Sequence, residues 1–210
     1  HSKPLGQPRK SVTLAYRCRN RASYPPFSKQ VVKRVAVSKT GTGSFRRVIF
    51  PEMDGIPQKI ALPTALAAWF ARRGWQPRPH QLAVLERTGA GRSVLLTAPT
   101  GGGKTLAGFL PSLCDLIGER EMAFPDGKLH TLYLSPLKAL AVDVRRNLEE
   151  PISDMDVPIR VESRTGDTPQ SRRQRQRKNP PHMLLTTPEQ LALLLSYRDA
   201  GRYFSHLRYV

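Results

Sequence analysis

At 210 residues, with 34 Lys and Arg against 16 Asp and Glu, the chain has length for one core and a formal charge of +18 that favours polyanions such as nucleic acid. No stretch approaches the roughly 20 apolar residues of a membrane span, and the basic start lacks the apolar core of a secretion signal. Cys18 and Cys114 stand far apart, one of them on an apolar helix, which argues against a disulfide framework or a zinc site and leaves a soluble protein of the reducing cytoplasm as the expectation.

The charge is uneven. Residues 1–52 hold twelve Lys and Arg against the single acid Glu52, so +11 of the charge sits there and +7 on residues 53–210. With scattered Pro and Gly and no sustained period, residues 1–52 are expected to be poorly ordered. The chain opens with His1 and its first methionine is Met53, which marks residues 1–52 as a candidate non-native extension. Native peptides from upstream of Met53 would refute that reading.

Residues 53–92 read as a helical lead-in. Within 63–73, Leu66, Trp69 and Phe70 share one face, with Pro63 suited to the first turn and Gly74 to the stop; a second helix spans 79–87. From 93 to 210 strands alternate with helices. An apolar strand at 93–97 precedes a helix whose stripe is Leu106, Phe109, Leu110, Leu113, Leu116 and Ile117, and which Pro111 should kink. A strand at 130–134 and a helix with Leu137, Leu140, Ala141, Val144 and Leu148 on one face follow. Then come a short strand at 159–162, a polar helix at 169–178, a strand at 182–186, a helix around Leu191, Leu194 and Leu195, and a last strand beginning near Arg208. This alternation predicts an α/β fold, an open doubly wound parallel sheet covered on both faces.

Between the first of these strands and its helix lies Ala98-Pro99-Thr100-Gly101-Gly102-Gly103-Lys104-Thr105. Successive glycines let several backbone N–H groups converge on one anion, and the following helix adds the positive end of its dipole. Lys104 supplies a mobile charge for the β- and γ-phosphates of ATP, and the Thr105 hydroxyl a ligand for the bridging Mg2+. Ala98 stands where the strict pattern has glycine, a small enough residue to keep the turn.

Three helices are expected to open alike, with a hydroxyl residue at the cap and proline at the first helical position: Ser135-Pro136, Thr168-Pro169 and Thr187-Pro188, the last with Gln190 completing a capping box. In a parallel sheet such N-termini gather on the carboxyl edge, where they can hold a second polyanion by its backbone. Capping alone also explains each step taken singly. The run Arg172-Arg173-Gln174-Arg175-Gln176-Arg177-Lys178 puts five positive charges on a short helix, and a solvated face fits it as well as a nucleic-acid contact through Arg172 and Arg173. His80, His130, His182 and His206 show no metal-ligand spacing and read as structural.

In order and approximate spacing these segments resemble the motifs of superfamily 2 helicases. Trp75-Gln76-Pro77-Arg78-Pro79-His80-Gln81 is similar to the adenine-reading Q motif, and residues 98–105 to motif I. Ser135-Pro136-Leu137-Lys138-Ala139-Leu140 is similar to motif Ia, Arg164-Thr165-Gly166-Asp167-Thr168 to the GDT element, and Thr186-Thr187-Pro188-Glu189-Gln190-Leu191 to motif Ib. The wording over residues 62–210 is similar to Lhr-type (large helicase-related) DEXH-box helicases, in particular the bacterial ligase-associated branch. The resemblance implies a RecA-like P-loop NTPase domain binding ATP and Mg2+ through Gln81, Thr100, Gly101, Gly102, Gly103, Lys104 and Thr105, with Gln81 on the adenine edge. It also implies that Ser135, Pro136, Lys138, Gly166 and Thr187 touch or shape the path of single-stranded or tailed DNA, with Glu189 in a positioning role and RNA left open beside DNA. An ATP-dependent 3′-to-5′ helicase or translocase with DNA-repair partners is what the family would supply.

The family's catalytic carboxylates lie in a DEXH sequence after the next strand, whose first half Tyr209-Val210 resembles. No acid of this chain matches them: Asp167 belongs to the GDT element, and Asp143, Glu149 and Glu150 sit on a helix whose N-terminus faces the site. The expectation is a first motor domain incomplete at its C-terminus, with an unpaired sheet edge, prone to aggregate and without ATPase turnover alone. Two other classes stay open. Another P-loop ATPase would keep the glycine loop without needing Gln81, Ser135-Pro136 and Thr187-Pro188 in helicase order, and a non-enzymatic nucleic-acid module would not need Lys104 and Thr105.

Overall fold

The computed structural model describes residues 61–99, 101–118 and 125–210, together with the backbone of residues 11–16. Helices α1 (Thr64–Arg72) and α2 (Pro79–Gly89) lead into strand β2 (Val94–Pro99) and helix α3 (Lys104–Gly118). They are followed by β3 (Thr131–Leu134), α4 (Lys138–Asp154), β4 (Val161–Arg164), α5 (Gln170–Lys178), β5 (Met183–Thr186), α6 (Pro188–Leu195) and α7 (Ala200–Tyr203). Strand β1 (Ser11–Tyr16) precedes them all.

The parallel sheet has the order β3-β5-β4. Its register sets Leu134, Thr186 and Arg164 level with one another, so the residues that follow each strand leave from a common edge. Tyr209 adds a parallel bridge to Thr131 on the far side of β3. The central strand β5 is buried throughout, as a strand covered on both faces must be. Its side chains alternate between two cores. Met183 and Leu185 join Leu66, Trp69 and Phe70 of α1, Phe109, Leu110 and Leu113 of α3, and Ala141, Val144 and Leu148 of α4. Leu184 faces the other way onto Leu129, Leu132, Leu194 and Tyr203, under α6 and α7. Helices thus cover both faces, as the alternation predicts.

Strand β2 departs from the expected single sheet. It pairs antiparallel with β1, Ser11 opposite Pro99 through Tyr16 opposite Val94, and a small core of Val84, Val94 and Ala107 ties it to α2 and α3. The presence of β1 also corrects the expectation that residues 1–52 lack regular structure. Val12, Leu14 and Tyr16 alternate with smaller residues at period two, a strand pattern that a basic, Pro-rich setting masks. The rest of residues 1–52 lies outside the described residues.

Helix α3 runs on through Pro111 as one element, with Phe109, Leu110, Pro111, Leu113, Leu116 and Ile117 all buried. Packing of that stripe outweighs the backbone hydrogen bond a proline removes. Strand β4 lies two residues later than the apolar pattern suggests, because Glu162 and Arg164 are buried despite their charge. Helix α1 is fastened to the end of α4, where Trp69 Nε1 donates to Asp154 at 3.1 Å and Arg73 pairs with Glu150 at 2.7 Å and Asp154 at 2.5 Å.

Candidate nucleotide and nucleic-acid site

The glycine loop leaves β2 and enters α3 at Lys104. Gly101 and Gly103 take φ of +79° and +74°, the left-handed region in which a side chain is strained. Lys104 is buried, and its Nζ donates to the Ala98 carbonyl at 2.8 Å, so the ammonium reaches back over the loop. Thr105 follows at the second helical residue, half-buried, where its hydroxyl lies beside the helix N-terminus. Gly102 is half-buried, and Thr100 lies outside the described residues.

Gln81 joins the lead-in to this loop. Its Oε1 accepts from the Arg78 N–H at 2.8 Å, which fastens the start of α2, and its Nε2 donates to the Gly103 carbonyl at 3.3 Å. A Cβ on Gly103 would stand 2.9 Å from that Nε2. Both ends of the Gln81 amide are therefore engaged with protein, the helix-terminal arrangement that the residue alone allows as well as an adenine contact. Arg78 is the residue that sequence reasoning passed over. Its exposed guanidinium lies at the loop mouth, Nη1 being 3.5 Å from the Gly101 carbonyl. Its place at the cap of the helix that carries Gln81 was the available signal.

The second constellation grows from the carboxyl edge of the parallel sheet. Ser135 N–H donates to the Thr186 carbonyl at 3.0 Å, and Thr186 Oγ1 to the Arg164 carbonyl at 2.7 Å, which locks the three strand ends together. From this edge Lys138 reaches across to Asp167, its Nζ 3.0 and 3.1 Å from the two carboxylate oxygens. Gly166 lies under the same side chain, and Arg173 donates to the Gly166 carbonyl and, at 3.4 Å, to that of Thr165. The Thr187 hydroxyl, its own backbone N–H and the Lys138 charge together hold the Glu189 carboxyl below its ordinary range. Lys138, Gly166, Arg173, Thr187 and Glu189 thus meet, with Ser135 buried beside them and Pro136 exposed.

Only one of the three expected helix starts forms as written. Thr187 caps α6 with Pro188 in its first turn, but without a side-chain cap bond, and Gln190 Oε1 finds no partner, so there is no capping box. Helix α4 starts at Lys138 with Leu137 at its cap, because the Ser135 hydroxyl bonds the Leu137 backbone instead. Helix α5 starts after Pro169, because Thr168 Oγ1 accepts from the Thr165 N–H at 2.9 Å and closes the turn before it.

The arginine-rich helix is anchored rather than merely solvated. One oxygen of Glu162 receives Arg172 at 3.4 Å, Arg175 at 2.9 Å and Gln176 at 2.9 Å. Burial would raise the Glu162 carboxyl, yet the bonds from Gln176, Arg175 and Arg172 hold it below its ordinary range. Arg177 pairs with Asp199 at 2.7 Å and lies over the Tyr197 ring. Arg172 therefore belongs to the Glu162 anchor on one side of α5, whereas Arg173 belongs to the Gly166 turn. Sequence reasoning missed Glu162; an acid within a strand followed by an arginine-rich helix was the available signal.

Among the described residues no group of three or more His, Cys, Asp or Glu side chains could hold a metal ion. Burial pushes the Cys114 thiol up to about 12, an inert state. No helix among the described residues is long and apolar enough to cross a membrane.

Residues 78–210 match the family described as DEAD/DEAH box helicase. The chain is similar to the ATP-dependent helicase Lhr-Core of Methanocaldococcus jannaschii, 39% identical over 152 residues, which are 68% of this chain and 18% of that protein. It is also similar to the Lhr helicase/uracil glycosylase of Escherichia coli, 41% identical over 145 residues, 62% of this chain and 9% of that protein. Among solved structures, Mycobacterium smegmatis helicase Lhr bound to ssDNA and AMP-PNP superposes with a TM-score of 0.58 at 36% identity, covering 70% of this chain and 20% of that one. The chain thus spans about a fifth or less of the length of these relatives. The likeness bears out the RecA-like fold and the Lhr-type resemblance read from the motifs.

Proposed function

Because the chain belongs to the DEAD/DEAH box helicase family, we propose that it is the part of an ATP-dependent helicase or translocase that grips both the nucleotide and a single strand of DNA. The observation that carries this reading is the Gln81 amide, which ties the helix of the Q-like segment to the Gly103 carbonyl 22 residues away. A P-loop ATPase of another kind has no need of that link. The Lhr structure solved with ssDNA and AMP-PNP supports the same pair of ligands.

In this reading the loop N–H groups and the N-terminus of α3 receive the phosphates, and Lys104 leaves the Ala98 carbonyl to neutralise their charge. Thr105 would hold a Mg2+ ion through its hydroxyl oxygen, and the ion when bound would supply Lewis-acid stabilisation of the phosphates. A hydroxyl oxygen is a hard donor of the kind that ion accepts. Gln81 and Arg78 fix the loop from the adenine side. The strand lies along the carboxyl edge of the parallel sheet, its phosphates on Ser135, Lys138, Thr187 and the Gly166 turn, with Pro136 and Glu189 shaping the path and Arg173 within reach. This grip reads backbone and not sequence. No carboxylate of this chain is assigned to hydrolysis. Work in DNA repair belongs to the same reading through the ligase-associated resemblance.

The test is ATP hydrolysis by the full-length gene product with and without single-stranded DNA. Strong stimulation, lost in Lys104→Ala, supports the proposal. Turnover indifferent to any nucleic acid would return the chain to another P-loop class, and stimulation by RNA alone would replace the substrate.

A further inference from the structure

The Lys138 ammonium stands at the start of α4, where a strand phosphate is expected, yet it is already held by both oxygens of Asp167 at 3.0 and 3.1 Å. The fit is close. A Cβ on Gly166 would come within 3.3 Å of Nζ and 3.5 Å of Cε, so the glycine makes room for Lys138 to lie across the turn that delivers the carboxylate. A carboxylate presents the same charge and acceptor oxygens as one face of a phosphodiester, so Asp167 occupies Lys138 as a phosphate would. Of the other charges at this turn, Arg173 is bonded to the Gly166 and Thr165 carbonyls, and Glu189 senses Lys138 without replacing Asp167.

We infer that Asp167 is a built-in competitor of the nucleic-acid backbone for Lys138, a residue that sets how tightly the strand is held and how that grip responds to salt. The inference rests on the strand-binding reading above. With 54% of Lys138 and 76% of Asp167 exposed, the pair is screened by water and opens readily, so it lowers affinity without closing the site. The competition also alters ion release. A free lysine that neutralises a phosphate sets one condensed cation free, whereas a lysine taken from Asp167 leaves a carboxylate that draws a cation back. A weakened grip suits a motor, which must let go of the strand in each cycle.

The experiment is fluorescence anisotropy of a labelled oligodeoxythymidylate with the full chain, Asp167→Asn, Lys138→Ala and the double variant, at several salt concentrations. Asp167→Asn should bind about fivefold tighter at low salt, the equivalent of the upper end for an exposed pair. Its dependence of log affinity on log salt should steepen by up to about 0.7. Both changes should vanish in the Lys138→Ala background. Asp167→Asn binding no tighter, or equally tighter without Lys138, would overturn the inference. Absence of binding by all four proteins would instead overturn the strand-binding reading, and the inference with it. Matching circular dichroism spectra keep misfolding from imitating either result.

Discussion

Gly103→Ala tests the loop where it meets Gln81. An alanine at φ +74° carries left-handed strain of roughly 1–2 kcal/mol, and its Cβ would stand 2.9 Å from Gln81 Nε2. The amide must then swing away and lose its 3.3 Å bond to the Gly103 carbonyl, about 0.5–1.5 kcal/mol more. The loop can relax while empty, so the cost falls on nucleotide binding, which restores the cradle. A total of about 1.5–3.5 kcal/mol corresponds to roughly 10- to 300-fold weaker binding. Gly101→Ala is the internal control: its φ is +79° but nothing lies within 4 Å of its added Cβ, so strain alone should weaken binding roughly 5- to 30-fold. Titration of a fluorescent, non-hydrolysable ATP analogue reads both. In a Gln81→Ala background the extra cost of Gly103→Ala should disappear. If Gly103→Ala binds as well as Gly101→Ala, the proposed contact between Gln81 and the loop is wrong.

Glu162 predicts an acid limb of stability. Its folded-state pKa is depressed below 4.5, so its contribution is fully present above the unfolded value and is lost as pH falls through the folded one. Thermal melts should therefore show Glu162→Gln less stable than wild type at neutral pH, with the two converging well below pH 4.5; parallel curves would deny the anchor. Thr186→Val removes the hydroxyl that holds the Arg164 carbonyl at 2.7 Å and should cost about 1 kcal/mol in urea unfolding, with no change meaning that water replaces the bond.

Where packing is local or one-sided, the fold was legible. The i, i+3, i+4 stripe of Leu66, Trp69 and Phe70 and the all-apolar start of β5 reported their own burial. Strand β4 was displaced because Glu162 and Arg164 look solvent-bound until α5 is seen to cover them. Pairing of β2 with β1 spans some eighty residues of chain, and nothing in either segment names the other. The Ser/Thr-Pro steps misled because Ser135 and Thr168 spend their hydroxyls on nearby turns rather than on helix caps, a choice that residue type does not encode. At the site, the glycine loop was legible from residue type and spacing, whereas Gln81 was singled out only by the resemblance to the Q motif. The hold of Asp167 on Lys138 was not legible, since 29 residues separate them and only the parallel register brings their strand ends level.

Amide hydrogen exchange of the chain, measured separately with a non-hydrolysable ATP analogue and with oligodeoxythymidylate, tests the central claim of two grips most directly. Nucleotide should protect residues 78–82 and 101–106, and the oligonucleotide residues 135–138, 165–168 and 187–190. Protection by the oligonucleotide confined to the arginine-rich helix α5, or by neither ligand at the glycine loop, would contradict it.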